Sequence, residues 1–401
     1  MSKGRQTLVA ILLTFACLGF LAPRLEVSGT RLALTDLACI LIIVVVIWGP
    51  TKYGELKLGF RAFELYYAGI LLALGFGYCI AFSDLGSLVQ SLRTLLFCLA
   101  GISAALLSYA KLQQTLKIVT IVLFLWFTPT AVITLISLAS GQLSLAQFMW
   151  EYDAGRLTAP HEVSGTSSVP IGYLFSFVFL YSVYLFDTRR STGTLLVAMI
   201  GLILCFLTAS RASILSAAAV LIIFIFYWSR TNGIKGKLAG VSLGVPIIAA
   251  IGWIILEKTL IDDTLDGSGM QRLGYYSVAV NNLLTDPISL LVGFGVSDAL
   301  LEQRTGVSFY ESLLFNSLAQ GGVLLLIPSL GLVIHPLLHA AAVKRKPNEN
   351  TTRNLLALGA IVFVGNSIGG ANFFSLYAYM YFSLLFELHK RKHVEQVVTP
   401  W

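Results

Sequence analysis

Apolar residues run along this chain in long blocks, each about the length a helix needs to cross a hydrocarbon layer. Short polar connectors, many of them carrying lysine or arginine, separate the blocks. The blocks cover Met1 to Leu21, 32–49, 62–82, 88–110, 117–139, 169–186, 192–209, 212–228, 237–257, 311–340, 353–368 and 373–388, which predicts about twelve spanning helices. Lys3 and Arg5 before the first block would suit a signal peptide as well as a first span, and the block is read as an uncleaved helix. The fold class expected is all-α: a polytopic membrane protein forming one transmembrane helical domain over 1–401. Two long polar stretches interrupt the pattern, 141–170 and 257–310. Inside the second, Leu273, Tyr276, Val280, Leu283 and Leu284 recur at roughly helical spacing before Asp286-Pro287. That spacing predicts an amphipathic helix lying on the membrane surface.

Composition fixes the solvent. Of the 401 residues 57% are hydrophobic and 12% charged, and the mean hydropathy is +0.82. This excludes a water-soluble domain and a peripheral enzyme on a single anchor. The net charge of +7 would suggest nucleic acid in a soluble protein. Here the cations sit between apolar blocks, where they signal topology, and no nucleic-acid partner is expected. One side of the span map takes Lys3, Arg5, Lys52, Lys57, Arg61, Lys111, Lys117, Arg189, Arg190, Arg230, Lys235, Lys237, Lys344, Arg345, Lys346, Arg353, Lys390, Arg391 and Lys392. The other takes Arg24, Arg31, Arg93, Arg156, Arg211, Lys258, Arg272 and Arg304, a split of 19 to 8. Both termini and the short connectors are therefore expected in the cytoplasm and both long loops outside. Eleven of the twelve lysines fall inside, whereas seven of the eight outer cations are arginine, the residue of bidentate phosphate and carboxylate recognition. Cys17, Cys39, Cys79, Cys98 and Cys205 lie in apolar segments without metal-ligand spacing and read as small core residues.

The candidate chemistry lies on the outer side. Arg211, in Thr208-Ala-Ser-Arg-Ala-Ser213, falls where a span begins, and a cation at a helix N-terminus is unfavourable to the dipole. Either an anion offsets it or the side chain reaches back to water. Arg272 follows Asp262, Asp263 and Asp266 and opens the surface helix, as a partner of one of those aspartates or as a phosphate ligand. Glu311 completes a capping box with Ser308 ahead of the long span, and a carboxylate at a bundle mouth can also serve as a general base. Arg156 and His161 stand in the first outer loop. His161 pairs with Glu162 or contacts a sugar or phosphate, and no companion ligands give it a zinc site. No Walker lysine motif or dinucleotide fingerprint is present.

Several of these residues converge on a known family. The chain resembles the bacterial O-antigen polymerase and O-antigen ligase superfamily, most clearly over Leu202 to Leu332. The resemblance is carried by Leu207-Thr-Ala-Ser-Arg211, Gly269-Met-Gln-Arg272, Pro287-Ile-Ser-Leu-Leu-Val-Gly293-Phe-Gly295, Tyr310-Glu-Ser-Leu-Leu-Phe-Asn316 and Gly321-Gly322, with a weaker echo in Arg156 to His161. It implies a C-type glycosyltransferase bundle in the bacterial inner membrane, acting at the periplasmic face. The implied donor is an oligosaccharide on undecaprenyl diphosphate and the implied acceptor another lipid-linked repeat unit, without cofactor or metal. On this resemblance Arg211 and Arg272 hold the donor diphosphate and Glu311 is the base of an inverting transfer. Arg156, His161, Tyr310 and Asn316 belong to the substrate site, and membrane lipid and a chain-length regulator are partners it allows. The ligase branch usually carries histidine then asparagine where this chain has Glu311 and Ser312, which favours the polymerase. Two rivals remain: a ligase delivering glycan to the lipid A core, and a lipid-linked-oligosaccharide flippase or other transporter. A transporter is expected to bury ionisable groups or broken helices near the midplane, whereas the charges here gather at the outer boundary.

Overall fold

The computed structural model describes residues 2–22, 25–27, 30–32, 34–48, 59–144, 147–148, 168–189, 191–208, 210–231, 268–307, 312–342, 359, 362 and 378–388; at 25–27, 30–32, 59–60, 168–170, 211, 226–231, 268–273, 336–337 and 339–342 the description is of the backbone alone. The helices are α1 (Lys3–Leu18), α2 (Leu34–Ile47), α3 (Gly59–Phe82), α4 (Leu85–Ser103), α5 (Tyr109–Ala139), α6 (Ser168–Arg189), α7 (Thr192–Leu207), α8 (Arg211–Thr231), α9 (Ser268–Thr285), α10 (Pro287–Val292), α11 (Asp298–Thr305), α12 (Leu313–Ala342) and α13 (Ala378–Leu388). The fold of the described residues is all-helical, as expected, apart from one short hairpin. An antiparallel pair, β1 (Leu25–Val27) and β2 (Thr30–Leu32), follows α1 in register Leu25 to Leu32. Val27 and Thr30, which pair at the end of the ladder, are β-favouring residues.

Among the described residues six helical stretches are long and apolar enough to cross a membrane, and four shorter helices are apolar. The expected spans at 237–257 and 353–368 lie outside the described residues. The helices alternate in direction. Arg5 at the start of α1 donates to the carbonyls of Val45 and Val46 at the end of α2, so these two run antiparallel, and Arg5 supplies a cation where the α2 dipole favours one. Along α5 and α6 the contacts run in opposite order: the Tyr109 hydroxyl meets that of Tyr184 at 2.9 Å, Tyr181 bonds to the carbonyl of Gln113, and the Phe127 ring meets Phe175 edge-on. The Phe20–Phe127 contact sets α1 parallel to α5. Lys3, Arg61, Lys111, Lys117 and Arg189 consequently gather at one end of the bundle with Leu388, the last residue of α13. The 83–84 turn and the start of α8 lie at the opposite end.

Charge is also buried between helices, which the sequence pattern does not suggest. Arg61 in the first turn of α3 is buried with Glu64 and with Glu387 of α13. Its guanidinium lies 2.8 Å from Glu64 and 3.1 Å from Glu387, donates to Ser383 at 3.3 Å and faces the Phe386 ring at 5.4 Å. Water cannot solvate these charges, so each depends on the others, and removing one partner costs about 3–5 kcal/mol. Both Arg61 and Glu387 lie at helix ends, which puts the cluster at the basic edge of the bundle and not at its midplane. Gly101 of α4 lets α13 approach, since a Cβ there would meet the Tyr379 hydroxyl at 2.7 Å and Ser383 Oγ at 2.9 Å.

Candidate functional site

The apolar block at 311–340 reads as one span, and the structure corrects this. Gly321 (φ −140°, ψ 15°) and Gly322 (φ 59°, ψ −153°) break α12 into 313–320 and 323–342. Ser317 and Ser329, twelve residues apart, bring their hydroxyl oxygens within 2.7 Å of each other. In a straight helix they would stand about 18 Å apart, so the short segment folds back against the long one. Gly322 occupies a backbone region that is essentially confined to glycine. The short helix carries Ser312, Asn316, Ser317 and Gln320, all buried, as a polar face against the bundle. Its first helical residue is Leu313, and the Ser312 carbonyl receives the Asn316 N–H at 2.7 Å. A cap at Ser308 would start the helix four residues earlier. Ser312 holds the cap position instead, and Glu311 precedes the helix.

A tight joint holds the break. After α10 the chain turns at Gly293 (φ 81°), Phe294 and Gly295 (φ 150°). The Phe294 N–H donates to the Ala319 carbonyl at 2.7 Å, and Gln320 Nε2 returns a bond to the Val296 carbonyl at 3.1 Å. Backbones are in contact on both sides: a Cβ at Gly293 would lie 2.5 Å from the Gln320 carbonyl carbon, and one at Gly322 would lie 2.4 Å from that of Leu291. The Tyr78 hydroxyl, from α3, donates toward the carbonyls of Val292 and Gly293. Pro287–Gly295 and Gly321-Gly322, separate motifs in the sequence, are thus two halves of one joint.

Two further anchors fix its surroundings. Asp84, in the α3–α4 turn, accepts from Ser87 Oγ at 2.5 Å, from Ser297 Oγ at 2.6 Å and from the Gly86 N–H. Ser297 in turn caps α11 by accepting from the Leu300 N–H. Partial burial pushes the Asp84 carboxyl upward, but the bonds from Ser297 and Ser87 outweigh it and hold the group below its ordinary value. Burial raises Asp298 at the start of α11, with Gln90 opposing in part. Arg304, at the end of α11, rests on the Phe82 ring at 4.3 Å.

A helix covers the predicted stretch as α9, and its buried face includes Tyr276, Ala279 and Leu283, which pack with Phe294, Leu301 and Ala319. Leu284, one of the apolar residues in the predicted pattern, is exposed. The Tyr276 ring stacks on Phe315 with centroids 4.3 Å apart and planes 10° from parallel, which joins α9 to the short helix. Arg272 stands one turn before Tyr276 in α9, and Glu311 stands four residues before Phe315.

At the α7–α8 turn the expected position of Arg211 holds: it is the first residue of α8. Buried hydroxyls build the turn. Thr208 Oγ1 donates to the Cys205 carbonyl at 2.7 Å, and the Ser210 and Ser213 hydroxyls pair at 2.9 Å. Gly172 admits the turn against α6, since a Cβ there would meet Ser210, Ser213 and Thr208 within 2.8 Å. Of the sequence-derived site residues, Arg211 and Arg272 are placed by their backbone and Asn316 with its side chain. Glu311, Tyr310, Arg156 and His161 lie outside the described residues. Of the arginines that the sequence pattern assigns to the outer side, Arg93 is engaged within the protein, in a two-point ion pair with Asp36 at 2.8 and 3.1 Å. The residues the sequence did not single out are Ser317, Gln320 and Asp84, whose roles depend on contacts 12 to 213 positions away. No protein-family model matches the chain, and no curated protein matches it.

Proposed function

We propose that this chain is a membrane-embedded polysaccharide polymerase of the O-antigen type. It transfers an oligosaccharide from polyprenyl diphosphate to a second lipid-linked unit at the periplasmic face of a bacterial inner membrane, with both termini cytoplasmic. The observation that carries the reading is the seating of the short helix 313–320. That helix turns a buried polar face to the bundle, follows directly on Glu311, is locked by the Gly293–Gly295 turn and is joined by the Tyr276–Phe315 stack to the helix bearing Arg272. Glu311, next in sequence to the cap position at Ser312, would serve as the base that takes the proton of the acceptor hydroxyl. Arg272 and Arg211 would neutralise the leaving diphosphate, a task suited to paired guanidiniums. Asn316, one turn into the helix, and Tyr310 would contact the sugar; Arg156 and His161 would complete its site.

The test is reconstitution of purified protein with a polyprenyl-diphosphate oligosaccharide. Glu311→Gln should lower polymer formation by about 100-fold or more, because an amide takes no proton at neutral pH. Arg211→Lys and Arg272→Lys should be impaired, and alanine worse, because lysine keeps the charge but loses the bidentate fork. Full-length polymer from Glu311→Gln would refute the base, and full activity of both alanine variants would refute the diphosphate site. A flippase or other transporter is the second reading, favoured by the break in α12. Its product would be translocated and not lengthened.

A further inference from the structure

α10 is six residues long, yet two of its large apolar side chains face outward: Ile288 is 73% exposed and Leu291 52%. In water such a pair is unfavourable by the apolar area left uncovered. Its position relative to α12 supplies the explanation. The Leu291 carbonyl packs on Gly322, at the head of the long segment of α12. Two residues beyond Gly322 a stripe of outward apolar residues begins, Leu324, Ile327, Leu330, Ile334 and Leu338, at spacings of three and four that keep them on one face. This is the face a spanning helix turns to lipid. Leu291 and Ile288 are the exposed apolar residues that adjoin it across the break, through the Leu291–Gly322 contact. The polar limit is equally sharp. Asp286, two residues before Ile288, is fully exposed, and its carboxyl accepts from the Ile288 N–H at 3.1 Å and from Ser289 Oγ at 2.5 Å.

From this juxtaposition we propose that α10 is an interfacial helix. Ile288 and Leu291 insert among the acyl chains of the adjacent bilayer leaflet while Asp286 stays at the water boundary. The occupant is bulk membrane lipid, because the patch adjoins the exposed apolar stripe of α12 across the Leu291–Gly322 contact. Insertion has a structural consequence. α10 is rigidly joined through Gly293 and Phe294 to Ala319 and Gln320, so the depth of α10 in the leaflet sets the depth of the short helix 313–320. This inference stands without the catalytic reading and concerns only where the joint sits in the membrane.

The test places an environment-sensitive nitrobenzoxadiazole label on single cysteines at Ile288 and Leu291 in a cysteine-replaced background. Asn281, an exposed polar residue of α9, serves as the control, and the protein is reconstituted in phosphatidylethanolamine–phosphatidylglycerol vesicles. Labels at 288 and 291 should emit to the blue of the label at 281, be quenched by phospholipids carrying a nitroxide near the head of the acyl chain, and resist aqueous iodide. Iodide quenching at 288 and 291 equal to that at 281, with no lipid quenching, would overturn the proposal. So would protection from both quenchers, which would mean that protein covers the patch, or lipid quenching that appears only when a polyprenyl phosphate is added. Ile288→Ser and Leu291→Ser, labelled at Pro287, give a second reading: removal of the apolar anchors should increase iodide access there, and unchanged access would count against insertion.

Discussion

Replacement of Gly322 by alanine would strike the joint on which the candidate site depends. The backbone region it occupies, φ 59° with ψ −153°, costs a non-glycine residue about 1–3 kcal/mol. The new Cβ would meet three atoms within 2.5 Å, the Leu291 carbonyl carbon and the carbonyl oxygens of Leu290 and Leu291, all backbone and none able to swing aside. Overpacking of that kind adds about 1–3 kcal/mol, for a total of roughly 2–6 kcal/mol, and relief requires α10 to separate from α12. Thermal unfolding in detergent, followed by the retained monodisperse fraction, should show a clear loss of stability. Gly141→Ala separates the two contributions: its φ is 74°, but nothing lies within 4 Å of the added carbon, so only the conformational cost of about 1–2 kcal/mol applies. If Gly322→Ala is no more destabilising than Gly141→Ala, the joint is not packed as described.

Three further outcomes follow from other parts of the molecule. Arg61→Ala should destabilise by about 3–5 kcal/mol by leaving Glu64 and Glu387 buried without their cation, whereas Arg93→Ala, which removes a guanidinium that is 39% exposed from a single buried carboxylate, Asp36, should cost less, since one carboxylate and not two loses its arginine; equal losses of thermal stability would contradict the difference. Asp84 is held low in the folded protein, so the stability it contributes is present above its unfolded value and is lost as pH falls through the lowered folded value. Asp298 is held high, so its contribution falls as pH rises through the ordinary carboxylate range, and Asn at 84 and at 298 should change the pH dependence of unfolding in opposite directions. A chelator should leave polymer formation nearly intact if Arg211 and Arg272 carry the diphosphate charge, and an absolute requirement for magnesium or manganese would direct attention to Asp262, Asp263 and Asp266.

Most of the helices were legible because a spanning segment writes itself as an uninterrupted apolar run, and α3, α4, α5, α6, α7 and α8 begin and end within a few residues or one to two turns of those runs. The same signal hid the break in α12. Glycine is tolerated in apolar runs, so Gly321-Gly322 left hydropathy unchanged. Only length gave a hint, since 30 helical residues extend about 45 Å, well beyond a hydrocarbon core of about 30 Å. Arg61 counted as one more inner cation because its second partner, Glu387, lies 326 positions away, although the Arg61–Glu64 spacing was visible locally. Arg93 was counted among the outer arginines for a similar reason, with Asp36 57 positions distant. In the candidate site the motifs were legible as short strings, but their mutual roles were not: the Gly293–Gly295 turn is intelligible only against the backbone of Ala319 to Gly322.

Glycosyl transfer itself is tested most directly by counting what leaves. Purified protein in vesicles, supplied with one defined polyprenyl-diphosphate oligosaccharide and no nucleotide sugar, should yield a ladder of lipid-linked products spaced by the repeat unit. One polyprenyl diphosphate should be released for each unit added. Movement of unextended substrate across the bilayer, with neither ladder nor released diphosphate, would contradict the account.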